Sequence, residues 1–298
     1  MATSVLETPG AANAASSAQP ITQERSEVFN WVFFVVIAAF HIGAVAALFF
    51  FSWSAVAVFV AMWLLGQNVG IAMSYHRQLT HRGFTTPRWL EYAMAVCGTM
   101  SLQGSPTYWV AVHRMHHQYT DKPGDPHSPR DGKWWSHMGW ILRGSLHNET
   151  TMLSRYAPDL QKNKFYQWLA TYHWLPVTLV GVGLLGAGTA IGGWRLGASW
   201  VLWGIFLRVA IGFHVTWLVN SATHIWGTRR FKTRDDSTNL WWVALLTGGE
   251  GWHNNHHAHP VSASHGMAWY ELDFNYWGIK LLEWVGLAKD VKVMRPEG

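Results

Sequence analysis

Long apolar runs alternate with polar, histidine-bearing stretches along this chain. An apolar run of about 20 residues is long enough to cross a bilayer as a helix. Four runs have about this length, at about residues 28–51, 55–74, 169–191 and 200–219. The first two are separated only by Ser52-Trp53-Ser54, and the last two by Gly192 to Ala198, so each pair predicts a helical hairpin. The pattern predicts an all-α integral membrane protein with four transmembrane helices.

The polar stretches predict a tail and a cap. Residues 1–26 are rich in Ala, Ser, Thr, Gln and Pro, and we expect a disordered tail there, not a secretory signal. Residues 27–298 are expected to form a single membrane domain. Four crossings return the chain to its starting side, so 75–168 and 220–298 should meet there as a helical cap. The apolar run 90–103 is too short to cross and predicts a buried or re-entrant helix.

The amino-acid composition is typical of a membrane protein and excludes several kinds of binding site. The chain is 49% hydrophobic and 13% charged, against roughly 25% charged residues in average soluble proteins. Its 21 tryptophans are typical of membrane interfaces. The net charge of +5 is not concentrated in a dense basic run, which favours a membrane surface or an acidic partner over nucleic acid. A single cysteine, Cys97, excludes internal disulfides and iron–sulfur ligation, and we expect it in the core.

Basic residues are distributed unevenly between the two sides of the predicted membrane. The links on the far side contain almost no Lys or Arg, whereas the histidine-bearing side is rich in both. By the positive-inside rule, the cap and both termini should face the cytoplasm, with a bacterial inner membrane as the expected location.

Histidine spacing predicts a metal site. In a helix, His113-Arg114-Met115-His116-His117 and His253-Asn254-Asn255-His256-His257 each place three imidazoles on one face. His76 and His81 form a spaced pair, and Asn220 and His224 stand four residues apart. Nine histidines are too many for one ion, so two ions with open positions are expected. Imidazole binds iron, zinc, copper and nickel alike, so the ligand type does not identify the metal.

Several other residues are candidates for the surroundings of this site. Glu250 could support a ligand or cap a helix. Asp121, Asp125, Asp235 and Asp236 could balance the metal charge, although Asp235 and Asp236 fit a solvated loop equally well. Trp217 precedes Asn220 and His224 on one predicted helical stripe and could line a substrate channel or simply belong to the core. Among the remaining histidines, His127 and His137 are the nearest candidates for ligand support or substrate contact, but an interfacial position fits them better.

These motifs resemble those of the membrane fatty acyl desaturase family. The three boxes have the forms His-x4-His, His-x2-His-His and His-x2-His-His. Further segments look like the stearoyl-CoA and Δ9 acyl-lipid desaturase branch: Thr216-Trp217, Asn220-Ser221-Ala222-Thr223-His224, Gly249-Glu250-Gly251-Trp252-His253 and Asp125-Pro126-His127. The resemblance covers about residues 30–285. It implies a four-span helical fold, a cytosolic cap and a non-haem di-iron centre.

The resemblance also implies roles for individual residues. One iron would be held by His76, His81, His113, His117 and His256. The other would be held by His116, His224, His253 and His257, with Asn220 acting through a water. Trp217 would shape a bend in the acyl tunnel. Where animal acyl-CoA enzymes carry an Arg-Asp pair and an Asn, this chain has Ala111-Val112 and Gly104. The surrounding segments 105–110 and 128–137 are more similar to the bacterial and cyanobacterial type. The acyl carrier, CoA, a glycerolipid or another thioester, stays open.

The implied reaction is oxygen-dependent formation of a cis double bond, most similar to the Δ9 type, in a saturated acyl chain. No side chain can deprotonate an unactivated methylene, so the two iron ions and O2 would supply the chemistry. The chain has no haem-binding His-Pro-Gly-Gly motif and no Gly-rich dinucleotide fingerprint, so an external ferredoxin or cytochrome b5-like donor is expected on the basic face. A lipid hydroxylase or alkane monooxygenase is the alternative within enzymes. A histidine-rich metal transporter is less favoured, because the boxes lie outside the apolar runs.

Overall fold

A computed structural model describes residues 23–25, 28–146 and 149–294. Most of the disordered tail expected at 1–26 lies outside these residues. Gln23–Arg25 is described, however, and forms a three-residue strand that pairs antiparallel with Gly144–Leu146. Apart from this small sheet, the regular structure in the described part is helical, as the sequence predicts.

Three helices are long and apolar enough to cross a membrane: Trp53–Thr80, Leu175–Gly192 and Trp194–His224. The first predicted span forms a shorter apolar helix, Trp31–Ala47, of 17 residues. These lengths fit a membrane protein, with the fourth helix at the lower limit of about 17 residues for a crossing.

The helix bounds differ from the predicted spans at three places. The second apolar helix continues to Thr80, so His76 lies inside it and not beyond its end. The third begins only at Leu175, because Lys164–Thr171 forms a separate helix before it. The link expected at 192–198 is reduced to Gly193, whose φ of 81° breaks the helix before the next one begins at Trp194.

The rest of the chain folds into shorter helices that pack around the ends of the apolar ones. They are Arg88–Thr99, Pro106–Tyr119, Pro129–Asp131, Trp135–Gly139, Trp140–Arg143, Glu149–Tyr156, Pro158–Gln161, Lys164–Thr171, Trp241–Thr247, His253–Ala258 and Phe274–Trp284. The run expected to be buried or re-entrant lies mostly in Arg88–Thr99, which packs along Trp53–Thr80. Cys97 is partly buried there against an apolar cluster, as expected.

Two local features fix the helices that carry the first two histidine boxes. The Ser105 hydroxyl accepts a hydrogen bond from the Tyr108 N–H, with Pro106 in the first turn, so the helix with the second box starts there. Gly70 faces the backbone of Gly98, and a Cβ added at Gly70 would lie 2.3 Å from the Gly98 nitrogen. Glycine at position 70 therefore lets Arg88–Thr99 pack closely against the helix that carries His76.

Candidate metal centre

A first set of histidines converges from three chain segments. His76 lies inside helix Trp53–Thr80, and His81 immediately follows it. His113 and His117 come from Pro106–Tyr119, and His256 from His253–Ala258. One ring nitrogen of each of the five lies within 4.8 Å of one nitrogen of every other. The five imidazoles thus face one small volume.

The spacing of these nitrogens fits a shared metal ion. The Nε2 atoms of His113 and His81, of His113 and His117, and of His76 and His256 are 3.1 Å apart. Those of His256 and His117 are 2.9 Å apart. An ion about 2.1 Å from two nitrogens at right angles holds them about 3.0 Å apart, whereas tetrahedral angles give about 3.4 Å. Nitrogens at these spacings can share one ion about 2.1 Å from each of them.

A second set of four histidines lies beside the first. His116, His224, His253 and His257 also bring one nitrogen each within 4.8 Å of the others. The Nε2 atoms of His257 and His253 are 3.0 Å apart, and the buried Nε2 of His224 has no hydrogen-bond partner in the described residues. The rings of His117 and His257 stack at 4.5 Å across the boundary between the two sets. Two ions would therefore lie close together.

Carboxylates orient four of the nine rings through their Nδ1 atoms. The Glu250 carboxylate lies 2.5 Å from His76 Nδ1, Asp125 lies 2.9 Å from His116 Nδ1, and Asp121 lies 2.9 Å from His224 Nδ1. Asp235 lies 3.3 Å from His257 Nδ1. An Nδ1–H that donates to a carboxylate leaves the Nε2 lone pair free for a metal and fixes the ring plane.

Burial favours the neutral form of most of these imidazoles, whereas Asp125 raises the pKa of His116 and interactions with histidines keep the acids ionised. Burial and repulsion from neighbouring histidines lower the pKa of His113, His117, His253 and His256 well below the ordinary value. Burial lowers the pKa of His257 to about 4, although Asp235 raises it. Burial would raise the pKa of Asp125, but the charge and hydrogen bond of His116 outweigh it and lower that pKa. Neutral rings are the form that binds metal.

The other predicted residues occupy different positions around the two sets. Asn220 lines a cavity next to His253. His127 is buried with its ring 4.3 Å from that of His116, and burial lowers its pKa to about 3. Asp236 contacts no histidine ring; it pairs with Arg130 at 2.7 Å and is partly exposed. Of the two adjacent acids, only Asp235 reaches a ligand candidate.

Trp217 lies in a packed cluster and not in the lining of that cavity. Its ring stacks on Phe213 at 5.4 Å and contacts His137 and His214 edge to face. His137 Nε2 lies 3.1 Å from His214 Nδ1, and His214 Nε2 lies 2.9 Å from His41. The stripe expected to carry Trp217 and Asn220 together is therefore divided: Asn220 faces the cavity, and Trp217 faces this cluster.

The cavity leads from the histidines into the apolar part of the protein. It has a volume of about 50 Å³. His76, His113 and His253 line it, as do Gln67 and Trp63, which lie earlier on helix Trp53–Thr80. Its surface is mostly apolar, although Gln67, Asn220 and Glu250 also line it, and such a cleft beside a multi-histidine centre suits a short part of an unreactive hydrocarbon chain.

Comparison with known proteins agrees with this geometry. The model of the family described as fatty acid desaturase matches residues 51–282. The chain belongs to the fatty acid desaturase family. An sn-2 palmitoyl-lipid 9-desaturase from Nostoc sp. (strain 36) is 44% identical to this desaturase over 284 residues, which cover 93% of this chain and 96% of the relative.

Two further relatives differ in the acyl carrier that their names give. An sn-1 stearoyl-lipid 9-desaturase from Anabaena variabilis is 43% identical, covering 89% of this chain and 94% of its own. An acyl-CoA C20 Delta5-desaturase from Anemone leveillei is 41% identical, covering 90% and 82%. The expected family is confirmed, and the protein is an oxidoreductase that desaturates fatty acyl chains.

The sequence analysis missed three residues of this desaturase that lie behind His76. The Arg77 guanidinium is fully buried and donates to Glu250 Oε1 at 2.7 Å and to Asp273 Oδ2 at 2.9 Å. His265 lies 3.4 Å from Glu250 Oε2 and has its Nε2 buried. Arg77 directly follows His76, but nothing in the local pattern indicated that its partners lie more than 170 residues away.

Proposed function

We propose that this desaturase introduces a cis double bond at the Δ9 position of a saturated acyl chain held in a membrane glycerolipid, using two iron ions, O2 and external electrons. The observation that carries the proposal is the convergence of two histidine sets at the end of an apolar cavity. The names of the lipid 9-desaturases from Nostoc and Anabaena support the position and the carrier.

The two sets are proposed to hold one iron ion each. His76, His81, His113, His117 and His256 would bind the first, and His116, His224, His253 and His257 the second, with Asn220 beside it through a water. The close spacing of the ring nitrogens and the carboxylates behind four of the rings support this assignment. Bound iron would supply the power to activate O2 and to break C–H bonds that no side chain can deprotonate.

The protein's own residues would position the chain and exclude water. Gln103 donates to the Thr216 hydroxyl at 2.9 Å and to Gln67 Oε1 at 3.1 Å, and Gln67 donates to the Gly212 carbonyl at 3.1 Å. These bonds pair the amide nitrogens of both glutamines, while Asn220 and Glu250 also line the cavity. An acyl chain held in this cavity would place one particular pair of methylene groups beside the histidines. Which pair lies there would determine the position of the new double bond.

The glycerolipid carrier is supported by the residues before the second box. Ala111 and Val112 are buried in the apolar cluster around Tyr75 and Met115. They present neither charge nor exposed surface to the phosphates of CoA. Because the Anemone relative is named for acyl-CoA, the carrier has to be tested directly.

The membrane arrangement is part of the proposal. Trp31–Ala47 would join the three longer helices as a fourth span, and the shorter helices would form a cytoplasmic cap. The link at Gly193 is followed by one basic residue, Arg195, whereas many basic residues flank the histidine segments. This distribution supports a cytoplasmic metal centre in a bacterial inner membrane.

Expression in a host without its own desaturase tests the function. We expect new cis-Δ9 fatty acids in glycerolipids, by mass spectrometry of the separated lipid and acyl-CoA pools, and two iron ions in purified protein. His116→Ala and His256→Ala, one from each set, should each abolish the product and lower the iron content. A hydroxylated acyl chain as the main product would favour the hydroxylase, and metal flux into proteoliposomes without lipid turnover would favour the transporter.

A further inference from the structure

A basic loop lies next to the second histidine set. The chain leaves the last apolar helix at His224 and returns where the Thr238 N–H donates to the Thr223 carbonyl at 2.7 Å. Between them, the segment 229–234 reads Arg-Arg-Phe-Lys-Thr-Arg and has four exposed basic residues, Arg229, Arg230, Lys232 and Arg234. We call this segment the basic loop.

The structure holds the basic loop in place while leaving much of its charge free. The Asn254 side chain, inside the third histidine box, accepts from the N–H groups of Arg230 and Phe231 at 2.8 and 2.7 Å. Arg230 pairs with Glu271. Lys232 and Arg234 form no ion pair with any carboxylate in the described part of the chain. The loop is therefore a rigid, positively charged surface attached to the helix that bears the third box.

The two acids that follow the basic loop do not neutralise the positive charge of this surface. Asp235 turns inward and accepts from the Thr233 and Ser237 side chains, with its other oxygen 3.3 Å from His257 Nδ1. Asp236 pairs with Arg130. The outward face of the loop thus keeps its basic side chains, and Asp235, the residue directly after the loop, contacts a proposed iron ligand.

We infer that the basic loop docks an acidic one-electron carrier protein, which passes its electrons to the second ion by way of Asp235 and His257. The inference rests on the proposed function. Converting –CH2–CH2– and O2 into –CH=CH– and two waters takes up two electrons and two protons, so two reduced carriers must be oxidised in each turnover. A charged surface beside the acceptor would both attract such a carrier and shorten the transfer distance.

A protein partner fits the basic loop better than the membrane surface does. Within the loop, Phe231 is partly buried with its ring 4.9 Å from that of His259, so no large apolar side chain there projects outward. Exposed aromatic residues that suit a lipid interface lie outside the loop, at Trp226 just before it, at Trp269 and on Phe274–Trp284. Charge without exposed apolar surface is typical of transient docking between redox proteins.

The test uses the full-length, iron-loaded protein in nanodiscs and a plant-type ferredoxin. The variant is Lys232→Glu/Arg234→Glu. Its control, Lys162→Glu/Lys289→Glu, makes the same charge change at exposed positions outside the basic loop. The measurements are equilibrium binding of oxidised ferredoxin, the second-order rate of electron transfer from reduced ferredoxin, and reduction by photoreduced 5-deazariboflavin, which is small and uncharged.

We expect the affinity of the variant for ferredoxin and its rate of electron transfer from ferredoxin each to fall about tenfold or more. The dependence of that rate on salt concentration should also largely disappear. The control, the iron content and the rate with deazariboflavin should stay at wild-type levels. Equal ferredoxin rates in variant and control would overturn the inference, as would an equal loss with deazariboflavin. A loss seen only in anionic nanodiscs, and not in phosphatidylcholine, would assign the loop to lipid. Failure of the proposed function would appear separately, as wild-type protein that accepts electrons but forms no double bond.

Discussion

Removing the Arg77 guanidinium should weaken both folding and metal binding. Arg77 lies between two buried acids, Glu250 and Asp273, and also donates to the Ala263 carbonyl at 2.8 Å. Glu250 in turn accepts from His76. In Arg77→Met, both acids stay buried without their cation. Breaking a buried ion pair by removing one partner costs about 3–5 kcal/mol.

The effect on the metal follows from the same contacts. Without Arg77, Glu250 is free to rotate away or to take up a proton, and His76 then loses the carboxylate that fixes its ring. Loss of such a partner behind a ligand typically lowers metal affinity by about 10–100-fold. Arg77→Lys keeps the charge but lacks the planar fork that reaches both acids, so we expect an intermediate loss.

Arg208 provides the matched control. It is also fully buried, but it donates only to carbonyls, those of Gly204 and Met100, with one Nη2 unpartnered in the described residues. Arg208→Met removes a buried cation and leaves no carboxylate unpaired. Denaturant unfolding followed by tryptophan fluorescence, with and without iron, would compare the variants. If Arg77→Met lost no more stability or iron than Arg208→Met, the reasoning would be refuted.

Three further predictions concern the carboxylates, the helix contact and the cavity. Asp235→Asn should lower iron affinity about 10–100-fold, because His257 Nδ1 would face a neutral amide in place of a carboxylate, whereas Asp236→Asn should not; iron titration decides, and equal loss in both would contradict the assignment. Gly70→Ala should destabilise the protein by about 1–3 kcal/mol, because its Cβ meets the neighbouring backbone, and an unchanged unfolding midpoint would contradict this. Trp63→Ala should enlarge the cavity away from the histidines and shift the products toward longer chains, read by mass spectrometry.

Much of the fold follows from local patterns. A helix buries or exposes residues with a period of 3.6, so apolar runs mark the spans and the spacing i, i+3, i+4 marks the histidine faces. Helix ends were predicted less well. Leu64–Thr80 continues past the apolar run because His76 and Arg77 find buried partners, and burial with partners overrides the polar character of a side chain.

The side chains that contact the histidines could not be predicted from local sequence patterns. Asp235 and Asp236 are adjacent and identical in type, yet one contacts His257 and the other Arg130. Only the path of the surrounding loop decides this. Trp217 was expected near Asn220 on one stripe, but rotation of the helix places its ring against Phe213 and His137.

The sequence by itself determined the membrane class, the helical composition and the presence of a multi-histidine centre, because each depends on residue type and short spacing. The tertiary structure alone decided that Arg77 joins Glu250 to Asp273 and that the segment 229–234 lies beside His257. These contacts connect residues far apart in the chain, and their energies depend on burial and on distances that no local pattern encodes.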